Sequence, residues 1–299
     1  MTGRTVGVVG AGAVGQTVAA LVAAEPWCAR VLVASRTEES ARGLVTDLED
    51  MLQLTASSAR VYSVPVGELR GGDAVVICPR ARFTNTNTAD VRMGGLAANA
   101  PVIAGLARSL HGYPGVVVMV TNPVDVLARL FAEVSAGPRV YGVGSATDTA
   151  RYRLTLAHHH RVPVDAMDGY MSGEHGDQAV ICASTTTIDG KPATVPLDVV
   201  RAELHARPRR INVGIGRTHC GPAGAVLTAL RKLLGLQDGI DVLSVNRGGV
   251  WLGNRLHIEA GQPTVHPLAL DATETAQLAA ARTKLANAYQ QIEGAALCR

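Results

Sequence analysis

Charge is scarce in this chain: 18% of its 299 residues are charged, against 47% hydrophobic. The formal net charge is +3, and the basic residues are scattered rather than run together. That distribution carries no nucleic-acid footprint; it leaves room for a few placed arginines facing a small anion. Lysine is rarer still. Lys191, Lys232 and Lys284 are the only three among 28 basic residues, a skew that reads as coding bias rather than function. The five cysteines (Cys28, Cys78, Cys182, Cys220 and Cys298) are odd in number, far apart and without a CxxC pair. This argues against a disulfide framework or a zinc site and for reduced thiols. No apolar run reaches the roughly 20 residues of a membrane span. A strand-like run begins at Thr5, so no leader segment is expected. Internal repeats and low-complexity linkers are absent too. These absences predict a compact, cytoplasmic chain with no metal, nucleic-acid or membrane partner.

What is present is an alternation. Strand-like runs at residues 6–9, 31–34, 61–64, 74–78, 116–120 and 139–142 are separated by helical patterns, notably 38–54 and 123–134. Pro123 suits the first turn of the latter. Such alternation implies an α/β fold with a doubly wound parallel sheet. Its ligands should sit at the carboxyl ends of the strands, where the loops after Cys78 and Val120 emerge. The first strand runs into Gly10-Ala11-Gly12-Ala13-Val14-Gly15 and then a helical pattern. Strand, G-x-G-x-x-G and helix in that order is the dinucleotide fingerprint. Gly10 makes the turn, Gly12 admits the diphosphate, Gly15 lets helix and strand pack, and the amides at Ala13 and Val14 open the helix toward the anion.

Beyond Gly144 the pattern changes. A helix is expected over 147–160, strands over 166–170 and 180–188, a long helical region over 198–234, short strands near 242–246 and 255–258, and a last helix over 273–292. The chain thus reads as a Rossmann-type dinucleotide-binding domain, 1–143, followed by an α+β substrate and catalytic domain, 144–299. The run His158-His159-His160 invites a metal reading, but consecutive helical residues point about 100° apart and share no ligand face. A polar helix end accounts for it better.

The stretch Ser172-Gly173-Glu174-His175-Gly176-Asp177 sets one imidazole between two glycines with a carboxylate on each side. Histidine is the natural proton donor or acceptor near neutral pH. Taken alone, a histidine in such a loop is more often not catalytic.

Five motifs in order change that balance: Gly10–Gly15, Thr121-Asn122-Pro123-Val124-Asp125, Gly142-Val143-Gly144-Ser145-Ala146-Thr147-Asp148-Thr149-Ala150-Arg151, the histidine loop, and the weaker Gly216-Arg217-Thr218. Together they resemble the lactate/malate dehydrogenase family over nearly the whole chain. The resemblance implies a nicotinamide-dependent 2-hydroxy acid dehydrogenase or 2-oxo acid reductase, a homo-oligomer (dimer or tetramer) acting on a small carboxylic acid. It implies that His175 is the acid/base and Asp148 its carboxylate partner. Arg151, three residues further along the same helix face, would grip the substrate carboxylate. Asn122 would contact substrate and nicotinamide, and Thr218 would line the substrate pocket. Two alternatives stay open: a reductase of another carbonyl or an imine in a specialised biosynthetic pathway, and a catalytically silent binding paralogue.

The loop after Cys78 departs most from the family. It lacks the usual Pro-Gly-Met run before the arginine that polarises the ketone. Counting back from Asn99 places that arginine at Arg92; counting forward from the strand leaves residues to spare, with Arg80 and Arg82 as substitutes. Gly94, Gly95 and Pro101 predict a poor helix after the loop. The arginine with which malate dehydrogenases hold a second carboxylate falls at Thr86 by one count and Phe83 by the other. Neither is charged, so oxaloacetate is expected to be a poor substrate. The hydroxyls and amides of residues 84–88, Thr86 among them, suggest a neutral or polar substrate side chain. At the end of the second strand, NAD-dependent members carry an acidic residue on the ribose; here Ser35 stands there, followed by Arg36. Losing the carboxylate and gaining a guanidinium favours NADP(H), with NAD possible.

Overall fold

The computed structural model describes residues 3–84 and 90–297. Valine-rich runs form six parallel strands, buried at every position in the central Ala74–Ile77 and Val116–Met119, as a helix-covered sheet requires, and carrying exposed Arg30, Arg60 and Tyr62 toward one edge. They are β1 (Arg4–Val9), β2 (Cys28–Ala34), β3 (Arg60–Ser63), β4 (Ala74–Ile77), β5 (Val116–Met119) and β6 (Val140–Gly142), in the spatial order β3-β2-β1-β4-β5-β6. All five neighbouring pairs are parallel. This is the Rossmann arrangement, whose ligands lie beyond the strands' carboxyl ends.

Helices cover both faces. On one, α1 (Ala13–Ala23), α2 (Glu38–Leu54) and α7 (Cys220–Leu233) pack Val18, Leu44 and Leu230 against Val6, Val8 and Val31. On the other, α3 (Leu96–Ser109), α4 (Val124–Ser135) and α8 (Ala272–Leu297) pack Ile103, Leu127 and Leu285 against Val75, Ile77 and Val117. Helix α2 illustrates the local cause. Thr37 caps it by accepting the Ser40 N–H at 3.3 Å, Glu38 and Glu39 sit in the first turn, and Ala41, Leu44, Leu48 and Leu52 make one buried stripe.

The sheet does not stop at β6. Gly142 pairs with Ser244 of β12 (Gly239–Arg247), which forms a hairpin with β13 (Val250–Glu259). β13 in turn pairs with β14 (Gln262–Val265) and with β8 (Met171–Gly173), the strand that delivers the histidine loop; β9 (Ala179–Ile181) closes that edge. A small second sheet joins β7 (Met167–Asp168), β10 (Thr187–Ile188) and β11 (Lys191–Pro192). A third core cluster, with Tyr152, Leu156 and Val200, lies between α5 (Gly144–His160) and α6 (Leu197–Ile215).

Several expected boundaries move, each for a visible reason. The strand expected over 180–188 is cut by a turn at Ala183–Thr185, where Glu274 takes the Ser184 N–H at 2.8 Å. The helical region 198–234 divides at Gly216, whose φ of +78° ends α6. The short strands near 242 and 255 are the middles of long β12 and β13, and β14 was not anticipated. Helix α3 forms despite Pro101, because Gly94 and Gly95 fall in a preceding turn, Met93–Gly95, and Ile103, Ala104 and Ala107 bury its face. At the end of α5, His160 Nε2 meets the Thr194 carbonyl at 3.0 Å and packs edge-on against His159. Among the described residues no helix is long and apolar enough to cross a membrane.

Candidate active site

Two sets of residues lie beyond the carboxyl ends of β1, β4, β5 and β6. The first is the glycine turn. Gly10 has φ +108°, and a Cβ there would lie 3.0 Å from the Pro79 nitrogen; one on Gly15 would lie 1.7 Å from the Gly10 carbonyl oxygen. Strand β1 and helix α1 can approach this closely only without side chains. A Cβ on Gly12 would meet nothing within 4 Å, so this residue faces open space. Gly12 is also the N-cap of α1, without a side-chain cap. The first amides of α1, at Ala13 and Val14, have no carbonyl four residues back inside the helix. Open space before uncapped amides is what a dinucleotide diphosphate requires, so this cradle fits that group. At the end of β2, Ser35 Oγ accepts from Ser40 Oγ at 2.9 Å. Arg36 is exposed.

The second set is charged and buried. Helix α5 begins at Gly144, which must lack a side chain because the histidine ring lies against it: a Cβ there would be 2.3 Å from His175 Cγ. His175 Nδ1 lies 2.5 Å from Asp148 Oδ2, and its backbone N–H donates to Asp125 Oδ2 at 2.8 Å. With Nδ1 taken, Nε2 has no hydrogen-bond partner among the described residues. The other Asp148 oxygen faces two guanidinium groups, Arg151 at 3.5 Å and Arg92 at 3.7 Å. Asp148, Arg151 and His175 are each less than a tenth exposed. Burial pushes the Asp148 carboxyl up, but the His175 ring and the two arginines outweigh it and hold it below the usual carboxylate range. Burial lowers Arg151 from its ordinary value, and Asp148 opposes that. Asp125, also fully buried, is pushed up by desolvation.

The expected residues divide accordingly. Arg92 stands at the start of the Met93–Gly95 turn with its guanidinium toward Asp148. Arg80 lies over the Phe83 ring, 4.4 Å from its centroid, and Arg82 is exposed. Phe83 itself is packed onto Gly95. Thr86 lies outside the described residues. Asn122 follows β5 with Oδ1 buried and unpartnered; its backbone carbonyl accepts from Asn99 Nδ2 at 2.8 Å, while Asn99 Oδ1 takes the Ala81 N–H at 2.9 Å. A buried acceptor with no partner among the described residues is a position for a ligand donor. Thr218 is half-buried at the junction of α6 and α7. The start of α7 lies against α5, where a Cβ on Gly221 would be 3.8 Å from Thr147 Cγ2. Sequence reasoning missed Asp125 as the holder of the histidine backbone, although it ends a quoted motif, and Gly144 as the seat of the ring.

Comparison with known proteins agrees with this geometry. Residues 4–144 match the family described as lactate/malate dehydrogenase, NAD binding domain. That region belongs to the lactate/malate dehydrogenase family, a family of nicotinamide-dependent oxidoreductases of the 2-hydroxy acid class. An L-lactate dehydrogenase of Treponema denticola is 33% identical over 192 residues, 63% of this chain and 60% of that protein. A malate dehydrogenase of Sulfolobus acidocaldarius is 28% identical over 297 residues, 94% of each chain. The fold matches the crystal structure of a minor L-lactate dehydrogenase from Enterococcus mundtii with a TM-score of 0.89 and 23% identity, over 98% of this chain and 99% of that one. Both branches of the family are thus represented among its relatives.

Proposed function

We propose that this chain interconverts a 2-oxo acid and its 2-hydroxy acid, with NADPH preferred over NADH and oxaloacetate a poor substrate. The observation that carries the reading is Asp148, buried and held at once by the His175 ring and two guanidinium groups. A carboxylate so placed fixes the imidazole with Nδ1 bonded to it. Nε2 then gives its proton to the ketone oxygen, or takes it from the hydroxyl in the reverse direction. Arg151 grips the substrate carboxylate with a two-pronged hydrogen bond. Arg92 faces the charge that develops on the ketone oxygen. Asn122 offers its side-chain amide, whose oxygen is unpartnered among the described residues, to substrate and cofactor; Thr218 forms part of the pocket wall, and Thr86 is assigned to the substrate side chain. Bound at the Gly10–Gly15 cradle, the nicotinamide nucleotide supplies or accepts the hydride. In this reading residues 1–143 hold the cofactor and lend Arg92, Asn122 and Thr86 to the acid, which 144–299 otherwise bind. Assembly into a homo-oligomer rests on the family resemblance.

The cofactor preference is supported by charge. A carboxylate at the end of β2 would repel the extra phosphate of NADP; Ser35 and the exposed Arg36 offer donors instead. The substrate preference is supported by the uncharged Thr86 and Phe83. The test is a panel of 2-oxo acids with NADPH and with NADH, followed by loss of the reduced nicotinamide absorbance. Reduction of an acid with a neutral or polar side chain is expected. Failure of every 2-oxo acid removes the reading. Efficient reduction of oxaloacetate overturns the substrate assignment and points to Arg80 or Arg82.

A further inference from the structure

Lys284 is one of only three lysines, and it stands away from the cofactor cradle, on the last helix. Its neighbours Ala281, Leu285 and Ala288 on α8 are buried in the core, so the side chain leaves a fixed platform. Its ammonium meets three carboxylates from two distant segments. Glu174 lies at 2.8 Å, and Asp90 and Asp177 are in direct hydrogen-bond contact. Oxygens of these three acids lie within 4.8 Å of one another, and the ammonium sits among them.

Two of the three contacts, through Asp90 and Glu174, lead into the site by a short path. Asp90 bonds Lys284 through Oδ2, while its Oδ1 takes the Met93 N–H at 3.2 Å and its carbonyl takes the Gly94 N–H at 3.2 Å. These bonds fix the turn on which Arg92 stands. Glu174 precedes His175 in sequence and is 2% exposed. Its carboxylate folds back over Gly176, where a Cβ would lie 2.4 Å from Oε1, and also takes the Gln178 N–H at 3.0 Å. One ammonium therefore ties the Arg92 turn to the His175 loop, and both converge on Asp148. A compact ammonium with three rotatable donors suits acids arriving from several directions; a planar guanidinium does not. In a chain that otherwise uses arginine, lysine here has a chemical reason.

We infer that Lys284 is a positioning residue for the reaction, setting Arg92 and His175 relative to each other through Asp90 and Glu174. The inference rests on the roles proposed above for those two residues. Lys284→Met should lower kcat for the 2-oxo acid by roughly tenfold to a hundredfold, the scale on which small misplacements act, with the cofactor KM unchanged. Lys284→Arg should restore the melting temperature but only part of the turnover. Asp90→Asn should lose activity less severely, and combining it with Lys284→Met should add little beyond Lys284→Met alone. Wild-type kcat in Lys284→Met, or losses that multiply in the double variant, would overturn the assignment. Should Lys284→Met not fold, Asp90→Asn with Lys284→Arg runs the same cycle. Should the wild type reduce no 2-oxo acid, the functional reading fails separately. Amide exchange at Met93 and Gly94 then judges the bridge: faster exchange in Lys284→Arg or Lys284→Met supports it, and unchanged exchange overturns it.

Discussion

The glycine turn (the proposed cofactor cradle) and the buried charged cluster (the proposed catalytic site) both lie beyond the carboxyl ends of the parallel strands and are built on opposite principles. The cradle works by missing atoms. Gly10 and Gly15 let strand and helix close up where a Cβ would clash, Gly12 leaves open space, and the uncapped amides of α1 do the rest. The cluster works by surplus charge: Arg92, Asp148, Arg151 and His175 come from three separate segments, with Asp125 and Lys284 adding two more behind them. A cradle of absences is local in sequence and hard to spoil from a distance. A cluster of buried charges depends on every partner being in place, because an unpaired buried charge is costly.

The sharpest way to separate the two is His175→Asn. Turnover should fall by about 10²–10⁴-fold while cofactor affinity, read by fluorescence titration of the reduced nucleotide, stays nearly unchanged; full activity would remove the proposed acid/base. Next in size is Gly144→Ala, whose Cβ lands on the ring of His175. A loss of roughly a hundredfold in kcat is expected from a displaced imidazole, with the cradle again unaffected. Arg151→Lys should act on the acid alone, raising its KM by about tenfold or more, because an ammonium cannot reproduce the planar fork. On the cradle side, Ser35→Asp with Arg36→Ile should shift the NADPH-to-NADH ratio of kcat/KM by about one to two decades, the worth of one charge-assisted hydrogen bond to phosphate. No shift would mean that Arg36 only faces solvent.

The smallest effect is on stability. Burial pushes the Glu174 carboxyl up to about 7, against the pull of Lys284. A carboxyl raised above its unfolded value of about 4.3 stabilises the fold fully below that value and loses its contribution as pH rises through the folded one. Thermal melts should therefore show the wild type losing ground to Glu174→Gln between about pH 4 and pH 7, and no change in their difference would contradict the shift.

How much of this could be read beforehand follows from the same contrast. Helix Glu38–Leu54 was legible to the residue because its cap, its acidic first turn and its buried stripe all agree. The glycine turn, and Asp148, Arg151 and His175 as motif members, were legible for a similar reason: each signal lies within ten residues or so of chain. Arg92 was ambiguous by counting, and only the turn at Met93–Gly95 brings it against Asp148. The hairpin of β12 and β13 was underestimated because Asn246, Arg247 and two glycines interrupt its apolar pattern. Lys284 was passed over because its acids lie 107 to 194 residues away, a distance over which sequence spacing carries no geometry.

The pairing of Gly142 with Ser244 has a thermodynamic consequence. One sheet crosses from the first half of the chain into the second, and both larger cores hold residues from either side: Val8 with Leu230, Ile77 with Leu285. Neither half can melt alone without stripping a strand edge and opening a shared core, so unfolding should be a single cooperative event. A nucleotide seated at Gly12 would then raise the free energy of opening at His175 by as much as at Val8. Saturating cofactor would slow amide exchange evenly through both halves, sparing only the local openings of turns and termini.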